Sequence, residues 1–213
     1  MAIKSEIVKF IEDASRAMPK GQSIVDVGCG SRAYENLFAG HKYIGIDVVE
    51  SGRENKKPDM FFDGKNIPLA DHSVDMVLST EVFEHVEDLD FLIKDISRVL
   101  KSKGSLLISV PFMWGEHEMP YDFRRFTSVG VIDFLKKNGF TVKKIEQGTI
   151  GLAAFMNLGM AEIRHGMSNS GLNGIKKKIA ILALKMTGAV FSILGIKMKR
   201  IYIRNILLAE KNS

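Results

Sequence analysis

Apolar residues recur at helical spacing in three stretches of the N-terminal two thirds of the chain. Ile7, Val8, Phe10, Ile11 and Ala14 fall near one face and predict an amphipathic helix over 5–17. Leu89, Leu92, Ile93, Ile96, Val99 and Leu100 do the same over 88–100. A third helix is expected over 127–138, with Thr127 as N-cap and Asn138-Gly139 as its stop. Between them lie apolar runs too short for helices and bounded by turn residues, at 23–27, 43–47, 59–62, 74–79, 105–110, 140–146 and 203–210. These read as strands. A short helix is expected over 32–38, and the polar stretch 49–58 reads as a loop. Strands alternating with helices predict an α/β domain with a Rossmann-like, doubly wound sheet. Right-handed crossovers then bring the strand carboxyl ends to one edge, where ligands bind.

Composition narrows the class without naming a function. Of 213 residues, 46% are apolar and 26% charged, enough for a core and too little charge for a disordered chain. A single cysteine excludes an internal disulfide and a zinc site built on thiolates. The first twenty residues carry charges throughout and do not read as a signal peptide, so the expectation is a cytoplasmic protein. The net charge of +5 is uneven: residues 164–213 hold ten Lys or Arg against Glu210 alone. A basic end on an acidic body suits an anionic partner, or it is a solvated face.

The densest chemical signal is Val25-Asp26-Val27-Gly28-Cys29-Gly30. Glycine at 28 and 30 permits a tight turn after a strand and a close backbone approach to a ligand. Asp47 ends the next strand, where a carboxylate can accept both hydroxyls of a ribose. A third glycine, usual in the dinucleotide fingerprint, is replaced by Ala33. Asp26 is expected to face the cofactor, where it would repel a pyrophosphate and suit a cationic group. Cys29 reads as a packing residue.

VDVGCG, YIGIDV, FDGKNIPLADHSVDMVLSTEVFEHV and RVLKSKGSLLISVPF, taken in this order, resemble the successive motifs of class I S-adenosylmethionine-dependent methyltransferases from about Ile24 to Glu146. The GCGSRAYENLF form is similar to a subgroup encoded near bacterial polysaccharide and glycolipid synthesis genes. The resemblance implies a seven-stranded sheet with its last strand antiparallel and S-adenosylmethionine as cofactor. It implies Asp26, Gly28 and Gly30 at the methionine end, Asp47 at the ribose, and Asp63 with Gly64 at the adenine. Ser79 to Glu81 would line the methionyl side. The alternatives are a nicotinamide-dependent oxidoreductase on a similar sheet and a non-catalytic domain that binds cofactor or lipid.

Methyl transfer needs an acceptor held in line and, for a hydroxyl, a group to take its proton. Two clusters fall beyond the fourth and fifth strands. In the first, Glu81, Glu84 and His85 share a face if the loop turns helically. The second runs from Trp114 to Thr127. His117 is the leading candidate base and His85 the second; Tyr121, Asp122, Arg124 and Arg125 are candidates for binding the acceptor, the arginines as an anion clamp. Glu81, Glu84, His85 and His117 together have the donor types for a divalent metal, but a site without metal is the favoured reading.

The resemblance implies a core over 1–147, completed by a last strand within 201–213. Residues 148–200 form an insertion where the family has a short hairpin. Helices are expected over 150–165 and 175–197. In the second, Ile179–Ile196 carries a single charged residue, Lys185. A membrane span is rejected because the returning strand would need both helix ends on one side. A helix lying on an anionic membrane surface through 175–199, peripheral to the inner face, fits instead; a lid or dimer contact is the alternative. The expected acceptor is a small molecule or glycolipid, and nucleic acid is disfavoured because the basic residues alternate with long aliphatic stretches.

Overall fold

A computed structural model describes residues 2–49, 57–169, 174–194 and 200–213. Most of the expected 49–58 loop, together with Lys197 and Lys199 of the basic segment, lies outside them. Seven strands form one sheet: β1 (Ser23–Val27), β2 (Lys42–Val48), β3 (Met60–Phe62), β4 (Val74–Thr80), β5 (Leu100–Pro111), β6 (Phe140–Ile150) and β7 (Tyr202–Lys211). Their spatial order is β3-β2-β1-β4-β5-β7-β6. All neighbours are parallel except β7, which runs antiparallel to both β5 and β6. This is the expected doubly wound sheet with its last strand reversed.

Both faces of the sheet are covered, which is why its strands are nearly continuous apolar runs. Helix α1 (Ala2–Ala17) lays Ile7, Phe10 and Ile11 on Ile24, Met76, Leu78, Leu107 and Ile206. Helices α2 (Leu89–Val99) and α3 (Ser128–Lys137) cover the other face, packing Ile93, Ile96, Val131 and Leu135 with Val25, Val27, Val77, Leu106 and Leu207. The cap residues work as their chemistry predicts. Asp88 accepts from Phe91 N at 3.1 Å, and Thr127 Oγ1 accepts from Gly130 N at 3.0 Å. The chain winds outward from β1 to β2 and β3, then returns to place β4 on the other side of β1. That reversal opens a crevice at the carboxyl ends of β1 and β4.

Three local expectations are corrected. The helix over 32–38 is a single 3-10 turn, Glu35–Phe38, preceded by Arg32 at φ 61°, a left-handed conformation that stops a helix. Strand β5, expected over 105–110, begins at Leu100, so that Lys103-Gly104 lies inside it. Lys103 is at φ 58°, the register to β4 shifts there, and a Cβ on Gly104 would sit 2.9 Å from the Lys101 carbonyl. Strand β6 continues to Ile150 because β7 pairs with it as far as Tyr202.

Between β6 and β7 the chain forms α4 (Leu152–Asn169) and α5 (Gly174–Ile193). Glycines let them approach closely: a Cβ on Gly159 would lie 2.9 Å from Leu184, and one on Gly188 2.8 Å from Met156 Sδ. Phe155 and Phe191 meet beside them, ring centroids 5.9 Å apart. The outer face of α5 leaves Ile179, Leu182, Met186, Val190 and Ile193 exposed. Among the described residues no helix is long and apolar enough to cross a membrane.

Arg98 fastens the segment before β4 that walls the crevice. Its guanidinium donates to Asp95, to Asp71 at 2.6 Å, and to the carbonyls of Ile67 and Leu69, both at 2.9 Å. Asp95 in turn accepts from Ile67 N at 2.6 Å. Arg98→Ala should therefore cost about 1–3 kcal/mol. The thermal midpoint should drop by roughly 3–10 °C in a calorimetric melt.

Candidate active site

The crevice holds a cavity of about 330 Å³, lined among others by Gly28, Asp47, Phe62, Asp63, Glu81 and His85. Its floor is the turn after β1. Gly28 is at φ 77° and Gly30 at φ 52°. Both need glycine for conformation, and Gly28 needs it for space as well, since a Cβ there would collide with the Val82 side chain. The turn is held to β2: Gly30 N donates to Asp47 Oδ2 and Val48 N to Asp47 Oδ1, both at 2.8 Å. Each carboxylate oxygen keeps a second lone pair, so Asp47 can steady the turn and still accept a hydroxyl from a ligand. Cys29 is buried, its Sγ filling space that a Cβ on Gly45 would need.

Asp63 and Gly64 stand on the opposite wall, Gly64 at φ 80°. Asp63 accepts from the backbone N–H groups of Asn66 and Lys65, foremost Asn66, which hold its carboxyl down at about 2. Glu81, at φ 54°, is fixed by two strands it does not belong to. Ser109 Oγ of β5 donates to its Oε1 at 2.8 Å, and Arg204 Nη1 of β7 lies 3.2 Å from its Oε2.

Asp26 does not face the cavity. Alternation along β1 sends it to the α1 side, where it is 1% exposed and accepts from Tyr43 Oη. Burial raises its carboxyl to about 7 despite the tyrosine bond, so it is no fixed anion for a cationic ligand. Ser79 is likewise wholly buried and absent from the cavity wall.

The β5–α3 loop closes the site. Its cis Met119-Pro120 bond precedes Tyr121, which with Phe123 lines the cavity. His85 Nδ1 lies 2.5 Å from the Tyr121 carbonyl, which marks it as a donor and leaves Nε2 as a lone pair. His117 Nδ1 is 3.3 Å from both the Gly115 carbonyl and Asp122 Oδ2. The two rings meet edge to face, centroids 4.8 Å apart. Glu84 is completely buried behind them; burial first, and the Glu81 charge second, raise its carboxyl to about 8.

The candidate acceptor residues have other work. Arg124 donates to the carbonyls of Phe83, Val86 and Glu87, stapling the post-β4 loop. Arg125 pairs with Asp122, at 2.7 Å from Oδ2, and reaches the Trp114 and Gly115 carbonyls. That pairing, ahead of the His117 backbone N–H, holds the Asp122 carboxyl near 2. With both guanidiniums spent on the loop, the expected anion clamp is not there. The sequence reading missed Arg204, 7% exposed, and Asn205, fully buried with Nδ2 on the Phe126 carbonyl at 2.9 Å. Adjacent Arg and Asn inside the apolar run IRNILLAE were the available signal.

The methyltransferase domain family matches residues 25–108, from β1 to β5, the stretch that builds the cavity. The chain contains a class I S-adenosylmethionine-dependent methyltransferase domain. It is 27% identical over 176 residues to the ubiquinone biosynthesis O-methyltransferase of Pelagibacter ubique, covering 68% of this chain and 72% of that one. An uncharacterized methyltransferase of Mycobacterium bovis is 31% identical over 140 residues, spanning 59% of this chain and 54% of the relative. Phosphoethanolamine N-methyltransferase 2 of Haemonchus contortus, solved with S-adenosylmethionine, shares the fold at TM-score 0.61 and 19% identity, over 98% of this chain and 53% of that one. The [4+2]-cyclase SpnF does so at TM-score 0.64 and 17% identity, over 97% and 80%. The fold alone thus leaves the reaction open.

S-adenosylmethionine is the methyltransferase's cofactor, and the crevice fits it. The bare Gly28 backbone, Asp47 at the rim and Asp63-Gly64 opposite supply a close-approach floor, a hydroxyl acceptor and a polar end for the base. Asp47→Ala should weaken S-adenosylhomocysteine binding by about tenfold or more in calorimetric titration, with the fold retained. Asp26 gives a pH test. Its folded pKa lies above its unfolded value, so the stability tied to its protonated form is present below about 4 and lost as pH rises through about 7. Asp26→Asn should match the wild type near pH 4 and melt at higher temperature than it at pH 8.

Proposed function

We propose that this methyltransferase acts on a hydroxyl of a sugar, glycolipid or other small-molecule acceptor. The observation that carries the reading is the paired presentation of His85 and His117 beside the cavity. Each imidazole has its Nδ1 facing a carbonyl or carboxylate, so each offers Nε2 as a base. Bound S-adenosylmethionine supplies an activated methyl group on a sulfonium. The chain's own work is to hold the donor on the glycine turn, exclude water with the 112–127 loop, and accept the hydroxyl proton at His117, with His85 beside it. Tyr121, half exposed at the rim, borders the acceptor side. An oxygen acceptor also agrees with the O-methyltransferase of Pelagibacter ubique. The methyltransferase domain speaks against the nicotinamide alternative.

The α4–α5 hairpin supports a lipid surface as the place where the acceptor is met. The exposed apolar stripe of α5 is accompanied by exposed Lys176, Lys178 and Lys185. Apolar residues facing acyl chains with lysines at headgroup level are what an interfacial helix requires, each lysine contributing about 1 kcal/mol on an anionic surface.

His117→Ala should lower kcat by about 100-fold on a hydroxyl acceptor found by screening, while S-adenosylhomocysteine affinity changes little. Turnover at the wild-type rate would remove His117 from the chemistry, and binding without turnover on any acceptor would favour a non-catalytic role. Full-length protein should sediment with phosphatidylglycerol vesicles, and Leu182→Asp with Met186→Asp should release it. Failure of the wild type to sediment ends the lipid reading, and a dimer that the same changes dissolve would assign the face to a second copy.

A further inference from the structure

Arg204 is a cation buried in a strand that otherwise reads as core. It is 7% exposed, and its neighbours in register are Pro111 on β5 and Gly148 on β6. The fold makes room for it: a Cβ on Gly148 would lie 2.9 Å from Arg204 Cγ. A guanidinium withdrawn from water is costly unless paired, and an apolar side chain of similar size often packs in such a place more stably. Arg204 pairs with Glu81, its Nη1 3.2 Å from Oε2. Its Nε is buried and has no hydrogen-bond partner among the described residues. The charge on β7 is therefore spent on a carboxylate at the end of another strand.

That carboxylate is itself held against its backbone preference. Glu81 is at φ 54°, a left-handed conformation uncommon for a long side chain, and outliers of this kind gather where ligands bind. Ser109 Oγ donates to its Oε1 at 2.8 Å, so one partner sits on each oxygen. Glu81 lines the cavity, while Arg204 stands behind it, off the cavity wall. Each carboxylate oxygen keeps a second lone pair for a donor in the cavity.

Sheet order says which part of the cofactor meets it. The strands run β3-β2-β1-β4 across the crevice, about 5 Å apart. Asp63 follows β3, Asp47 stands near the end of β2, Gly28 follows β1 and Glu81 follows β4. With the base at Asp63-Gly64 and the ribose at Asp47, the amino-acid end of the cofactor passes over Gly28 and arrives at Glu81, three strands and about 15 Å from Asp63. That end carries an ammonium group, for which a fixed carboxylate is a strong acceptor.

We propose that Arg204 is a positioning residue for the methyl donor: from β7, together with Ser109, it fixes the Glu81 carboxylate where the ammonium group of S-adenosylmethionine is received. The inference rests on the cofactor reading of the crevice and is independent of which acceptor is methylated.

Two ligands separate positioning from mere structure. S-adenosylhomocysteine has the amino-acid end, and 5′-methylthioadenosine keeps base, ribose and sulfur without it. In calorimetric titration of full-length protein, Arg204→Met should weaken S-adenosylhomocysteine binding about tenfold or more and leave 5′-methylthioadenosine within about twofold. Glu81→Gln should show the same split, and Arg204→Lys, which keeps a cation, should recover most of the loss. Equal losses on both ligands, as a structural role would give, or unchanged affinity for S-adenosylhomocysteine, overturn the proposal. So does a split in Glu81→Gln that Arg204→Met does not reproduce, since the carboxylate would then need no arginine. Should Arg204→Met not fold, Ser109→Ala carries the comparison, with a selective loss of about threefold to tenfold expected and an even loss or none overturning the proposal. Wild-type protein that binds neither ligand would remove the cofactor site itself. Tight binding of both by every variant would leave that site standing and remove only the role of Arg204.

Discussion

Everything at the crevice depends on the turn after β1 being bare of side chains. Gly28 and Gly30 adopt left-handed conformations that put their N–H groups on β2, on the Ile46 carbonyl and the Asp47 carboxylate. Val82, arriving from the end of β4, packs directly over Gly28. One turn therefore sets the spacing between β1, β2 and the post-β4 loop, and so the width of the cavity. A methyl group at position 28 would face both a backbone penalty and a collision, and would push apart the two walls that hold the ligand.

Much of this was legible in the chain itself. The strands announce themselves as apolar runs because both sheet faces are buried, and Asp88 and Thr127 show where helices begin. Where the structure differs, each difference has its own physical cause. Asp26 was read as facing the ligand because it stands beside the glycines, but a strand sends successive side chains to opposite faces, and Asp26 falls on the side of α1. Proximity in sequence is a poor guide to orientation wherever the period is two. The arginines were misread for a different reason. A guanidinium has five donors, and a loop of sixteen residues without helix or strand has many unpaired carbonyls. Arg124 and Arg125 satisfy them, which no local pattern reveals.

Arg204 was invisible for the converse reason. It lies more than fifty residues beyond Glu146, where the resemblance ends, on a strand that reaches the site only because β7 inserts between β5 and β6. From there it meets Glu81, a residue in a left-handed conformation that would relax without partners. Ser109 and Arg204 hold it from two adjacent strands. The last strand is thus part of the site as well as the closure of the sheet, and its polar pair Arg204-Asn205 interrupts the apolar run where it crosses the crevice.

The β5–α3 loop shows how rigidity is obtained without regular structure. Asp122 accepts from Arg125 and from the His117 backbone N–H, while Arg124 ties the loop to three carbonyls around Glu84 and His85. These bonds spend every strong donor on holding two imidazoles and a buried carboxylate in one arrangement. Arg124 and Arg125 together take up six backbone carbonyls and the Asp122 carboxylate, while the buried Glu84 carboxylate makes no hydrogen bond among the described residues, so the loop owes its order to its arginines and not to the acid it encloses.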